Sequence, residues 1–324
     1  MKLTIKTLKK LVKGAVICSK DGAYMVFYRY GKAQMEYMAR EEYDYGWRGW
    51  AKFSGGIRLE FITDSENISF DYLASHQHER SNTIDLYVDN MLARVYKIQD
   101  KLKGSVHFTL PSGKKRVAIY FPCESVLKIK NFTIDGSYKS VKSKKTKLLI
   151  IGDSITQGAG PEIASASYVN ILSREADFDI LDQGIGGYRY EPCDLMEIEE
   201  FKPDRIMVAL GTNFYEKSVC EERGYDYARA VKDFYKRLDE IYPSVPKLVM
   251  TPLYRTRDLD MERFLWCIDT IKAECKKYSN ILVADGFDLM PNDPVSLSDG
   301  VHPSTYGSLM LGSNLIKFMK DNKF

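Results

Sequence analysis

Three polar residues of this chain have the types that acyl transfer requires: Ser154, Asp299 and His302. A serine hydroxyl is a weak nucleophile until a neighbouring base takes its proton. His302 can take that proton and later deliver it to a leaving alcohol. Asp299 stands three residues earlier, close enough in a tight turn to accept from Nδ1 and fix the tautomer. The tetrahedral intermediate then needs donors aimed at its oxyanion. The backbone N–H groups of Ser154 and Gly187 and the side-chain amide of Asn213 can supply three. Glycine suits the second of these because backbone must approach the substrate closely there.

These residues can act together only if the fold brings them to one place. Ser154 follows Leu148-Leu149-Ile150-Ile151, a short apolar run with the pattern of a strand covered on both faces, and Gly152 breaks that run. From Lys147 onward strands and helices alternate. Further strands are expected at Ile180–Gln183, Ile206–Leu210, Leu248–Thr251 and Ile281–Ala284. Between them Val231, Phe234, Leu238 and Ile241 share one helical face, as do Phe264, Ile268, Ile271 and Cys275, and then Leu311, Leu315 and Phe318. Such alternation predicts a parallel sheet with helices on both faces and a flavodoxin-like strand order. Gly184-Ile185-Gly186-Gly187 follows the second strand, Gly211-Thr212-Asn213 the third, and Asp299-Gly300-Val301-His302-Pro303 the fifth. The carboxyl ends of parallel strands share one edge, so the four segments can converge on one crevice. Each has an ordinary structural explanation alone: a turn, a helix cap, an Asp-Gly turn, a polar loop. Their joint placement after strands is what points to chemistry.

Residues 1–140 look different. Apolar and polar residues alternate along Ile57–Ile62, Ile68–Tyr72, Ile84–Val88 and, less strictly, Val117–Phe121, with turn signals between them. This predicts an all-β sandwich, jelly-roll-like, ahead of the α/β unit of residues 141–324. The lysine- and serine-rich stretch 137–147 reads as a solvated linker. Aromatics crowd the segment Tyr43 to Trp50; their large apolar area favours burial in the core or at the domain junction, with stacking on sugar rings as the other reading. His76 and His78 form an H-x-H pair without an evident third ligand, so a polar loop is expected rather than a metal site.

The composition of this 324-residue chain, 44% hydrophobic and 28% charged with a net charge of +3, is that of an ordinary globular protein and demands neither nucleic acid nor an anionic membrane. No segment is long and apolar enough to span a bilayer. Lys9, Lys10 and Lys13 interrupt the apolar run near the N-terminus, which therefore reads as a cytoplasmic start rather than a signal peptide. Six cysteines without C-x-x-C pairing point to free thiols, not to zinc or redox chemistry.

Taken as an ordered set, Gly152-Asp153-Ser154-Ile155-Thr156 and the three later segments resemble the four blocks of the SGNH, or GDSL, hydrolase superfamily. The resemblance covers residues from about 147 to the C-terminus. It implies a three-layer α/β/α fold and ester hydrolysis without metal or cofactor, with the roles given above to Ser154, Asp299, His302, Gly187 and Asn213. The second block is the loosest match, because Tyr188 and Arg189 follow the glycine pair, and it leaves Gly186 as the alternative donor. A β-sandwich ahead of such a domain resembles family 2 carbohydrate esterases, which remove acetyl groups from plant polysaccharides and their oligosaccharides. The expectation is a serine esterase acting on short acyl esters of a small-molecule or oligosaccharide substrate, with no nucleic-acid or membrane partner. Tyr188, Arg189, Tyr190 and Tyr215 then either line a sugar subsite or pack around it. Two other readings compete. A lysophospholipase or thioesterase needs an apolar groove for its acyl chain, and no stretch marks one. A sugar-binding protein with an idle hydrolase half is opposed by the complete Ser154, Asp299 and His302 set.

Overall fold

The computed structural model describes residues 1–40, 46–75, 81–98, 102–144, 146–257 and 260–324. Tyr43, Tyr45, His76 and His78 lie outside these described residues.

The strands before residue 141 are β1 (Val12–Lys13), β2 (Ile17–Asp21), β3 (Tyr24–Tyr28), β4 (Arg58–Thr63), β5 (Asn67–Ser75) and β6 (Thr83–Val88). They continue with β7 (Met91–Lys97), β8 (Lys103–Thr109), β9 (Lys115–Tyr120), β10 (Val126–Ile134) and β11 (Tyr138–Ser140). All pair antiparallel. One sheet runs β1-β4-β9-β6-β7, with β11 on β4; the other runs β2-β3-β10-β5-β8. Successive side chains of a strand point to opposite faces. Ile68, Phe70 and Tyr72 of β5 therefore meet Leu59 and Phe61 of β4 and Ile84 and Leu86 of β6 in one apolar core between the sheets. Within it the Phe70 and Phe132 rings stack at 5.4 Å.

This half is not all-β. It also holds α1 (Ile5–Leu11), α2 (Lys32–Tyr37) and α3 (Trp47–Trp50). Thr4 caps α1 by accepting from Thr7 N–H, and Leu8 and Leu11, one helical turn apart, sink into the sandwich core. A helix this short shows too few periods to stand out in the sequence. The stretch 137–147 is not purely a linker either. Residues 138–140 pair with Thr63, Ile62 and Phe61 while their side chains stay exposed. Polar composition reports where side chains point; it says nothing about a backbone that completes a sheet edge.

The second half contains β12 (Thr146–Gly152), β13 (Phe178–Gly184), β14 (Arg205–Ala209), β15 (Lys247–Met250) and β16 (Ile281–Ala284). All pairings are parallel, in the order β13-β12-β14-β15-β16, which is the flavodoxin-like arrangement. Leu149 and Ile151 face α7 (Tyr227–Ile241) and α8 (Met261–Cys275). Leu148 and Ile150 face α5 (Tyr168–Glu175) and α10 (Thr305–Asp321). The continuous apolar run of β12 thus serves two cores, and the sheet is the middle of three layers. Asp226, Asp260, Ser167 and Ser304 cap these four helices, and the short α6 (Lys217–Glu222) and α9 (Gly286–Leu289) also belong to this half. Among the described residues no helix is long and apolar enough to cross a membrane.

The halves meet through buried polar contacts. Arg29, just past β3, donates to Asp182 of β13 and to the carbonyls of Trp50 and Phe53. Burial pushes the Asp182 carboxyl up to about 6 against the opposing pull of Arg29. Ser81 Oγ donates to the Gly158 and Pro161 carbonyls. Gly55 lies so close to Gln157 that an added Cβ would sit 2.4 Å from its carbonyl oxygen. The sandwich is therefore seated against the strand ends where Ser154 lies.

Candidate active site

Each strand end delivers one component. At β12, Gly152 has no room for a side chain: a Cβ would lie 2.0 Å from Thr156 Oγ1. The chain turns sharply there into α4 (Ser154–Gln157), whose N-cap, Asp153, accepts from Ile155 N–H at 2.9 Å. Ser154 is the first residue of this helix, so its N–H has no carbonyl one turn back. Asp153 is fully enclosed, and burial pushes its carboxyl up to about 7.

At β13, Ile185 to Tyr188 form a turn in which Tyr188 N–H donates to the Ile185 carbonyl at 3.1 Å. Gly187 sits at its third position with φ +68°, where side chains are disfavoured. Gly186 N–H donates to Gln157 Oε1 at 2.9 Å. Its hydrogen is therefore already engaged, and Gly187 borders the same cleft. At β14, Asn213 Nδ2 donates to the Tyr188 carbonyl at 3.1 Å. An amide nitrogen carries two hydrogens. One ties Asn213 to the glycine turn, and Asn213 itself lines the cleft.

After β16 the chain forms a short bridge, Leu297 to Pro303, and Ser298 N–H donates to the His302 carbonyl at 2.8 Å. Within this turn Asp299 Oδ1 accepts from Val301 N–H at 3.0 Å and His302 N–H at 2.9 Å. Asp299 Oδ2 lies 2.8 Å from His302 Nδ1, and His302 Nε2 lies 2.8 Å from Ser154 Oγ. Burial pushes the Asp299 carboxyl up, but the bonds from the His302 backbone and ring outweigh it and hold it at about 2. An ionised carboxylate only accepts, so the hydrogen resides on Nδ1. Nε2 is then the acceptor for the serine proton. Ser154, His302, Asp299, Gly187 and Asn213 all border one open cleft of about 700 Å³. This arrangement can make a nucleophile and hold an oxyanion.

Comparison with known proteins bears on the family and the fold. Residues 150–308 match the family model described as GDSL-like Lipase/Acylhydrolase. The chain carries a GDSL-like lipase/acylhydrolase domain. A search of curated proteins found no match. Among solved structures, the salicylyl-acyltransferase SsfX3 of a tetracycline biosynthetic pathway superposes with a TM-score of 0.75 at 18% identity, covering 96% of this chain and 94% of the other. A GDSL-like lipase candidate from Bacteroides ovatus gives 0.75 at 18% identity, over 96% and 95%. A family two carbohydrate esterase from Clostridium thermocellum, in complex with cellohexaose, gives 0.63 at 15% identity, over 84% and 93%. At these identities the likeness is one of fold, and it extends across the antiparallel half as well as the GDSL-like domain.

Of the two readings of Tyr188, Arg189, Tyr190 and Tyr215, their burial favours packing around the site. Tyr188, Tyr190 and Tyr215 are 4%, 1% and 0% exposed, in the core under the sheet. Tyr188 Oη donates to Asp194 and Tyr190 Oη to the Leu210 carbonyl. Arg189 pairs with Glu191 and lies over the Phe214 and Tyr225 rings. A ring beside a catalytic loop still gains most by burial, which sequence proximity to the GDSL-like blocks does not reveal. The burial reading of the aromatic segment holds for Trp47, whereas Trp50 is only half-buried. Trp47 is buried against Tyr188, while Trp50 borders the cleft. Trp50 covers Gly186, where a Cβ would come within 2.9 Å of the indole.

The sequence reading passed over Phe53 and Glu124, which the sandwich contributes to the cleft, and Arg255 and Arg257, which follow β15. A signal for the arginines existed, because β15 ends at the same sheet edge as the other strands.

Proposed function

We propose that this protein is a serine esterase that removes short acyl groups, acetyl foremost, from carbohydrate hydroxyls. The observation that carries the proposal is the unbroken run of contacts from Asp299 through His302 to Ser154 on the wall of an open cleft lined by both polar and apolar groups. Ser154 Oγ attacks the ester carbonyl as its proton passes to His302 Nε2. The carbonyl oxygen gathers negative charge beside the N–H groups of Ser154 and Gly187 and the Asn213 amide. Collapse expels the sugar hydroxyl, which takes the proton from His302, and leaves acyl-Ser154. Water then repeats the sequence with His302 as base, releasing the carboxylic acid and restoring the serine.

Two features favour a small acyl group on a sugar. The cleft walls combine glycines, Asn213, Glu124 and two arginines with the indole of Trp50, a flat surface suited to the C–H face of a sugar ring. A long acyl chain would need a deep apolar groove, and the described residues bordering the cleft do not form one. Carbohydrate esterases of family two are among the structural neighbours.

The test is product release by the purified protein. Acetate is expected from acetylated xylo- or manno-oligosaccharides, with little fatty acid from a lysophospholipid. Fatty-acid release that exceeds acetate release would replace this reading with the lysophospholipase one. No turnover even of 4-nitrophenyl acetate would favour a sugar-binding role.

A further inference from the structure

We propose that Arg255 is a positioning residue that ties the oxyanion loop to the Asp299–His302 turn. Arg255 follows β15 in a segment that carries no recognised motif. It is only 6% exposed, and its guanidinium sits 5.0 Å from the centre of the Tyr215 ring. Nη1 donates to the Thr212 carbonyl at 3.0 Å, one residue before Asn213. Nε donates to the Arg257 carbonyl at 3.0 Å. The backbone N–H groups of Thr256 and Arg257 in turn both donate to the Gly300 carbonyl, at 2.8 and 3.1 Å. Gly300 lies inside the turn whose carboxylate and imidazole form the relay. One side chain thus links the donor of the oxyanion site to the acid–base pair through a continuous series of hydrogen bonds.

The link has a physical purpose. Phe214, next to Asn213, has φ +57°, a left-handed conformation that disfavours a bulky residue. A strained loop keeps its shape only if its surroundings hold it. Tyr190 and Tyr227 donate to the Leu210 and Gly211 carbonyls from behind, but neither hydroxyl reaches the His302 turn. Arg255 does both jobs because a guanidinium is a planar fork whose Nε and Nη1 can serve two carbonyls at once. A lysine ammonium at the same depth cannot reproduce that geometry. The positive charge also opposes the effect of burial on Asp153, the cap of the helix that starts at Ser154.

The inference rests on the esterase reading, so the wild-type protein is assayed first on 4-nitrophenyl acetate. An inert wild type removes the esterase reading. An active wild type allows Arg255 to be judged separately. Arg255→Met keeps the bulk and removes both donors; kcat is expected to fall about 10- to 100-fold, with KM changed by less than about threefold. Arg255→Lys, which keeps the charge, should recover only part of the loss. Asn213→Ala alone should lower kcat by on the order of 10²–10³. In that background the Arg255→Met change should cost clearly less than in the wild type, because one of the groups it positions is gone. If Arg255→Met does not fold, Arg255→Lys carries the comparison. A folded variant with kcat within about twofold of wild type, a loss confined to KM, or full multiplicativity with Asn213→Ala would each overturn the proposal.

Discussion

Replacing Ser154 with alanine is expected to lower kcat for ester hydrolysis by on the order of 10⁶-fold while the protein stays folded. The size follows from the removal of the atom that the proposed mechanism uses to form the acyl intermediate: Ser154 Oγ stands 2.8 Å from the His302 ring. What remains in the variant is the oxyanion site and substrate binding, which alone accelerate hydrolysis by about 10³–10⁴ over water. The fold is not at risk, because the hydroxyl makes one side-chain contact and lies at a partly exposed cleft wall. The Ser154 backbone and the Asp153 cap are untouched by the change. Thermal melting of the variant should match wild type closely. A variant that melts normally and retains activity within about tenfold of wild type would remove Ser154 from the covalent step.

Asp299→Asn is the second large effect, and it acts without disturbing the turn. The amide oxygen can still accept from Val301 and His302 N–H, as Oδ1 does now. The amide nitrogen then faces His302 Nδ1 where Oδ2 stands at present. Two donors cannot share that contact, so the hydrogen moves to Nε2 and the ring presents N–H to Ser154 instead of a lone pair. The base is in place but in the wrong tautomer, which is expected to lower kcat by about 10⁴. KM should change little, because Asp299 acts on the ring rather than on substrate binding. Asp299→Ala should be at least as damaging, and it should also lower the melting temperature by freeing two backbone donors of the turn. Full activity in Asp299→Asn would show that His302 is oriented by something else.

Much of the parallel half was legible because burial on both faces leaves an unmistakable trace. Leu148–Ile151 falls inside β12 as a solid apolar block, and Ile281–Ala284 coincides with β16. The helical faces of Val231, Phe234 and Leu238 and of Phe264, Ile268 and Ile271 lie in the core as their spacing requires. The convergence of Ser154, Gly187, Asn213, Asp299 and His302 followed from topology, since parallel strands end along one edge. The sequence was silent where contacts depend on depth rather than on order along the chain. Tyr190 and Tyr215 stand beside loops that border the cleft yet lie in the core, and only packing distinguishes a wall from a foundation. Arg255 has no motif because its partners are carbonyl groups, which every residue carries. The contribution of Trp50 depends on how the sandwich docks, through Arg29 and Asp182, and neither residue announces a junction in the sequence.

The central claim is that Ser154 is the nucleophile of a serine esterase, and covalent trapping addresses it most directly. The protein is treated with diethyl 4-nitrophenyl phosphate, which phosphorylates an activated serine and stalls there, and is then digested for peptide mass analysis. Loss of esterase activity is expected in step with labelling of a single site on the Ser154 peptide, with neither label nor nitrophenol burst in Ser154→Ala. Full activity after saturating treatment, or inactivation that tracks a label on another residue, would contradict it.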